Sequence, residues 1–260
     1  MRIVVKVGTS TLTHRSGNLN IRRMQEFCRV LSDLKNAGNE IILGSSGAIA
    51  MGVGKLPITE KPDDIPGKQA CAAVGQSELM YVYDKLFGEY NHTVAQLLMT
   101  ASDFKKEKRH RNFINTMERL LEMGALPVIN ENDTISVDEI KIGDNDTLGA
   151  VVAKCCSADL LIILTDTDGL YTADPREDPN ANLIENVEHI TPAMIEAAGG
   201  SGTERGTGGM ATKLKAARIA TEAGIKTVIV NGDVPRVLYD VVEDKPFIGT
   251  TFQPERLGGK

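Results

Sequence analysis

Residues 3–10 read Ile-Val-Val-Lys-Val-Gly-Thr-Ser, a run of β-branched residues interrupted by one lysine and ending on a glycine and two hydroxyls. Val and Ile suit a pleated, packed backbone, so the run predicts a strand. Five other segments repeat it: EIILG (40–44), TVAQLL (93–98), LPVIN (126–130), DLLIILT (159–165) and KTVIVN (226–231). Runs that stay apolar, with no alternation, indicate strands covered on both faces, as in parallel sheets.

The intervening segments carry helical spacing. Ile21, Met24, Cys28, Leu31 and Leu34 fall on one face, with Asn20 placed as N-cap and Gly38 as the C-terminal stop. Further helices are predicted at 67–87, 111–123, 145–156, 191–198 and 209–223, and another after Ser46-Gly47. Strand and helix alternate, which predicts an α/β fold: a three-layer sandwich with a mostly parallel central sheet and helices on both faces. The clusters at 54–67 and 171–182 read as loops and 133–143 as a small rim hairpin. No stretch reads as a linker, so one domain is expected over 1–260.

Composition removes several classes of function. A formal charge of −6, 4% aromatic residues and no Trp argue against a dedicated nucleic-acid binder. The basic run Lys105–Arg111 reads as a solvated helix face. Cys28, Cys71, Cys155 and Cys156 lack the paired spacing of a zinc site and read as reduced thiols. The apolar start is too short for a signal segment and no later run is long enough to span a bilayer, so a cytoplasmic protein without membrane contact is expected.

In open α/β sheets ligands bind beyond the carboxyl ends of the strands. The unusual polar clusters lie there: Gly8-Thr9-Ser10, Ser45-Ser46-Gly47-Ala48, Asn130-Glu131-Asn132-Asp133 and Thr165-Asp166-Thr167-Asp168-Gly169. The glycine loop GTGGMATK (206–213) suits a phosphate, because glycines admit close backbone approach and a helix N-terminus attracts anions. It is not a P-loop, since neither Gly54-Lys55 nor Gly67-Lys68 has the upstream glycine or the following Ser or Thr. Its GxGxxA spelling follows a loop where a dinucleotide fingerprint follows a strand. Lys6 has two readings, a lysine snorkelling to solvent or a charge aimed at the ligand edge; the adjacent glycine loop and second lysine favour the latter. Asp144-Asn145-Asp146 reads as a helix cap or as a cluster positioning lysines or Mg2+.

Taken together and in order, VVKVGTS (4–10), SSGAIA (45–50), NEND (130–133), KIGDND (141–146), LTDTDGLYTADPR (164–176) and GTGGMATK resemble the amino acid kinase family, from residue 4 to about 250. The resemblance implies transfer of the ATP γ-phosphoryl group to a small acceptor. Within the family it points to the side-chain carboxylate of L-glutamate, the opening step of proline biosynthesis. By the same resemblance Lys6, Asp146 and Lys213 are catalytic, with Asp146 holding the lysines. Ser46, Gly47, Asn130, Asp133 and Asn145 would bind glutamate. Lys6, Gly8, Thr165, Asp166, Thr207, Gly208, Gly209, Met210, Ala211, Thr212 and Lys213 would bind ATP. About 1–150 would serve mainly glutamate and 151–260 mainly ATP. Mg2+ is expected on the ATP phosphates and water, with no dedicated protein ligands.

The chemistry agrees in one respect: a glutamate side chain, with a pKa of about 4.3, is already an ionised nucleophile at neutral pH. No general base is then required of His14, His92, His110 or His189. The resemblance also implies a homo-oligomer (dimer or tetramer), proline as feedback inhibitor and hand-over of product to the next enzyme. Many relatives carry a C-terminal PUA domain, which is not expected here. Two alternatives stay open: a same-fold kinase for another small acceptor (acetylglutamate, aspartate, carbamate or a phosphate monoester), and a non-catalytic ATP- or amino-acid-binding regulator.

Overall fold

The computed structural model describes residues 1–14, 18–58, 60–135, 145–199 and 209–255. All six expected strands form: β1 (Arg2–Val7), β2 (Glu40–Ser45), β3 (Val94–Met99), β4 (Leu126–Glu131), β5 (Leu160–Thr165) and β7 (Lys226–Asn231). Two short strands, β6 (Asn186–Val187) and β8 (Thr250–Phe252), were not expected, since two or three residues cannot establish an apolar run. The sheet order is β3-β4-β2-β1-β5-β7-β8-β6, parallel except where β8 runs against β7. β1 lies between β2 and β5, so the chain builds outward on one side of β1 and then returns to build on the other. That reversal is the switch point at which open sheets take ligands.

Both sheet faces are covered, which is why the strands read as unbroken apolar runs. On one face Ile3, Val5 and Val7 pack with α2 (Ile21–Asn36), α4 (Ile65–Gly88) and α10 (Val237–Val242). On the other Val4 packs with α6 (Glu107–Glu122), α7 (Asn145–Cys155) and α9 (Met210–Glu222). Each fully buried branched side chain in these layers contributes about 1.5–3 kcal/mol relative to exposure. Asn20 caps α2, its side chain accepting from Arg23 N at 3.2 Å, and Gly38 follows the helix with φ +92°.

The expected helix after Gly47 is α3 (Ala48–Lys55), so Gly54 and Lys55 belong to a helix and not to the expected loop; Ile65 to Gly67 likewise begin α4. The helix expected at 111–123 starts earlier, at Glu107. Three short helices escaped the periodicity: α1 (Thr9–Leu12), α5 (Ala101–Lys105) and α10. The remaining three, α7, α8 (Pro192–Gly199) and α9, lie where expected. The basic run spans the α5/α6 junction, where Arg109 pairs with Asp103 and Arg111 with Glu107, as a solvated helix face would.

α3 and α4 cross backbone against backbone. A Cβ on Gly52 would lie 1.9 Å from the Cys71 carbonyl oxygen, and one on Gly75 would lie 1.7 Å from that of Ala48. Only glycine permits this approach. Among the described residues no helix is long and apolar enough to cross a membrane. The four cysteines are free, with Cys28, Cys71 and Cys156 buried. Most of the rim hairpin, Lys141-Ile142-Gly143-Asp144 and the loop residues Gly206, Thr207 and Gly208 lie outside the described residues.

Candidate active site

Lys6 is the single charged residue of β1's interior, and the alternation of the strand places it on the same face as Val4. Two glycines lie beside its stem. A Cβ on Gly149 would lie 3.5 Å from Lys6 Cβ, and one on Gly44, its cross-strand partner in β2, 3.8 Å from Lys6 Cα. Gly149 and Asp146 are three residues apart on α7, hence on one face of that helix. The turn that packs beside the lysine stem therefore also carries the carboxylate that meets its ammonium.

Lys6 Nζ lies 2.6 Å from Asp146 Oδ1. From the opposite side Lys213 Nζ donates to Asp146 Oδ2 at 3.2 Å, and the Thr212 hydroxyl, which donates to the Gly209 carbonyl oxygen at 2.7 Å, lies 3.2 Å from the same carboxylate oxygen. Lys6 and Lys213 are 5% and 6% exposed and Asp146 is 0% exposed. Burial works against the ionised carboxyl of Asp146, but the ammonium groups of Lys6 and Lys213 outweigh it, so its pKa is held below the usual carboxylate value. Its position in the first turn of α7 adds a favourable helix-dipole interaction. Lys6 thus has a partner instead of a path to solvent.

Backbone borders the lysines on this side: a Cβ on Gly8 would lie 3.6 Å from Lys6 Nζ, at van der Waals contact with the ammonium. Gly209 is the N-cap of α9, with no side-chain cap, and Met210, Ala211 and Thr212 form the first turn ahead of Lys213. Exposed helix-start amides beside a lysine suit an anion. Thr165 ends β5 and Asp166 follows it, with Thr165 Oγ1 donating to Asp166 Oδ1 at 3.2 Å. Asp168, from the same cluster, accepts from Asn231 Nδ2 at 2.9 Å and from the Tyr171 hydroxyl at 3.1 Å, which ties the ends of β5 and β7 together.

A second group begins one residue from Asp146. Asn145 Nδ2 donates to Ser46 Oγ at 2.8 Å and to Asn130 Oδ1 at 3.0 Å. Asn130 Oδ1 also accepts from the Glu131 backbone N at 2.8 Å, and Asn130 Nδ2 donates to Gln76 Oε1 at 2.8 Å. Ser46 precedes Gly47, whose φ of +104° lets the chain turn directly into α3. Three expected substrate-side residues, Ser46, Asn130 and Asn145, are therefore in one network. Asp133 sits half-buried in the turn after β4.

Gln76 was missed by the sequence reading. The available signal was Gly75 beside it: glycine in a helix interior costs about 1 kcal/mol relative to Ala and calls for a packing reason. Thr207 and Gly208, expected at the nucleotide, lie outside the described residues.

Among the described residues no three His, Cys, Asp or Glu side chains gather to hold a metal ion, and both oxygens of Asp146 face lysines. The described residues thus form no metal cage, and Mg2+ would come as part of the nucleotide substrate.

Comparison with known proteins agrees with this layout. The amino acid kinase family profile matches residues 1–231. The glutamate 5-kinase of Caldanaerobacter subterraneus subsp. tengcongensis is 54% identical over 254 residues, covering 98% of this chain and 68% of that protein. The glutamate 5-kinase of Clostridium tetani is 55% identical over 250 residues, covering 96% of this chain and 93% of that one. Among solved structures, an isopentenyl phosphate kinase of T. acidophilum superposes with a TM-score of 0.67 at 17% identity, covering 97% of this chain and 100% of that one. At that identity the likeness concerns the fold alone.

Proposed function

This chain belongs to the amino acid kinase family, and from that premise we propose that its site transfers the ATP γ-phosphoryl group to the side-chain carboxylate of L-glutamate, giving L-glutamyl 5-phosphate. Relatives named for this activity match nearly the whole chain at about half identity. The observation that carries the mechanism is the pair of buried lysines from different elements held on one carboxylate at the sheet's switch point.

In this reading the acceptor carboxylate needs no deprotonation, and the obstacle is its repulsion from the polyphosphate. Lys6 reaches the transferring group from β1 and Lys213 from the start of α9. Asp146 fixes the separation of the two ammonium groups, so charge developing on the phosphoryl oxygens meets preset partners. Gly8 and the first turn of α9, Gly209 to Thr212, supply backbone donors to the phosphates, with Thr207 and Gly208 assigned to the same loop. Thr165 and Asp166 take the nucleotide beyond the phosphates. Ser46, Gly47, Asn130, Asp133 and Asn145 hold glutamate, Asp133 as counter-charge to the α-ammonium. The part up to about residue 150 then serves glutamate and the remainder ATP.

The proposal includes Mg2+ carried on ATP, a homo-oligomeric assembly and proline as feedback inhibitor, supported by the family resemblance, and a cytoplasmic setting, supported by the free cysteines. Hand-over to the next enzyme is supported by chemistry, since an acyl phosphate is prone to hydrolysis.

An assay of ATP consumption with hydroxylamine present, run over a panel of acceptors, tests the reading. Hydroxamate from L-glutamate is expected. Turnover of aspartate or acetylglutamate without turnover of glutamate would overturn it.

A further inference from the structure

The amide network leaves two ends open, and one backbone group determines which ends they are. A backbone N–H can only donate, so Glu131 N fixes Asn130 with Oδ1 toward it and Nδ2 toward Gln76. Gln76 must then present Oε1 to Asn130, which leaves Nε2 as its free end. On the other side Asn145 meets Asn130 Oδ1 and, at 3.4 Å, the Ser45 carbonyl, both acceptors only, so it must present Nδ2 and leave Oδ1 free. Among the described residues neither Gln76 Nε2 nor Asn145 Oδ1 has a hydrogen-bond partner, although both atoms are buried. Gln76 as a whole is 7% exposed. A buried polar atom left unpaired is costly and calls for an explanation, and a ligand group is one.

The open ends are a donor and an acceptor, the complement of an α-amino acid's carboxylate and ammonium. They also lie in the right order. Asn145 adjoins Asp146 and its lysines, Asn130 is one hydrogen bond further, and Gln76 one further still. The acceptor's reacting carboxylate must approach the lysines, so the far end of the relay meets the far end of the substrate. The fold holds Gln76 there deliberately close: Gly75 presses α4 onto the first turn of α3, whose start carries Ser46 and Gly47.

We propose that Gln76 is a substrate-binding residue, its free Nε2–H donating to the α-carboxylate of the amino-acid acceptor while Asn145 Oδ1 accepts from the α-ammonium. The inference rests on the reading of the acceptor as L-glutamate. It makes Gln76 a determinant of specificity for an α-carboxylate, distinct from the lysines that handle the phosphoryl group.

Gln76→Glu tests it, because a carboxylate still accepts from Asn130 Nδ2 while turning the free donor into an acceptor. Hydroxamate formation is measured with L-glutamate and with its α-amide, isoglutamine, which keeps the reacting side-chain carboxylate. The expected result is a rise in KM for glutamate on the order of 10-fold or more, with kcat and KM for ATP within about 2-fold. The ratio of kcat/KM for glutamate over isoglutamine should fall by a similar factor, since the α-amide can donate to the new carboxylate. Gln76→Met, similar in length and without a donor, is run in parallel with circular dichroism to verify folding. It should raise KM for glutamate and leave KM for ATP unchanged. Folded variants that alter both KM values alike, alter neither, or leave the glutamate-to-isoglutamine ratio unmoved would overturn the assignment. Absence of turnover of glutamate by the unsubstituted protein would instead strike the proposed reaction.

Discussion

Around Asp146 the site is built from full charges brought together from β1, α7 and α9, whereas around Asn130 it is built from neutral amides and a hydroxyl supplied by β4, α4, α7 and the β2/α3 turn. Charges act over distance and tolerate a change of angle. Amide hydrogen bonds are short and directional, and each orientation constrains the next. The two regions adjoin at residues 145 and 146, so in the proposed reading a single helix start divides the work. Charge suits a group whose negative charge spreads during reaction, and directed amides suit a small zwitterion that must be told from its analogues.

The largest effect should come from removing the carboxylate that holds the charged region. Asp146→Asn leaves two buried lysines without their shared counter-charge and should cost about 3 kcal/mol or more of stability at neutral pH, read by denaturant unfolding. The same carboxylate gives a pH signature. Its folded pKa lies below its unfolded value of about 3.9, so its stabilisation is complete above that value and is lost as pH falls through the lower folded pKa. Thermal unfolding followed below about pH 4 should show this acid loss in the original chain and a shallower one in Asp146→Asn.

Next comes catalysis at the same region. Lys213→Ala should lower kcat by roughly 100-fold or more, the scale of losing a contact to transition-state charge. A value within a few-fold of the original would mean that this lysine only supports the fold.

Smaller effects should fall on recognition and leave kcat largely intact. Asn130→Asp puts an acceptor where Gln76 now meets a donor, so Gln76 must turn its amide and consume the free end. A rise in KM for glutamate of about 10-fold is expected, with KM for ATP unchanged. Asp133→Asn, which weakens a counter-charge in a half-buried turn, should raise KM for glutamate by roughly 5-fold. A rise in KM for ATP instead would move Asp133 to the nucleotide side and blur the division between the regions.

Legibility in the sequence differed between the two regions in the same physical way. The strands that carry Lys6 and Asn130 declare themselves by apolar runs, and the lysine within β1 is conspicuous because lysine is costly in a covered strand. Its meeting with Asp146 and Lys213 agrees with the family motifs, yet the neighbours it meets depend on sheet register, which no single segment reveals. Gln76 could not be read, because an amide in the middle of a helix has no periodic signature and its partner is fifty-four residues away. The direction of the Asn130 and Gln76 amides depends on one N–H, that of Glu131, and Asn145 is oriented also by the Ser45 carbonyl; neither constraint exists until β2 and β4 are placed. β6 and β8 failed for a simpler reason, being shorter than the window over which a pattern can repeat.

The division of labour is tested most directly by hydroxamate saturation curves against L-glutamate for Lys213→Ala and Asn130→Asp, recorded side by side at saturating ATP. Lys213→Ala should lower the plateau by roughly 100-fold with little change in the half-saturating glutamate concentration. Asn130→Asp should shift half-saturation upward by about 10-fold and keep the plateau. If the two variants lower the plateau and shift half-saturation in the same proportion, the charged and neutral regions do not have separate tasks and the account is wrong.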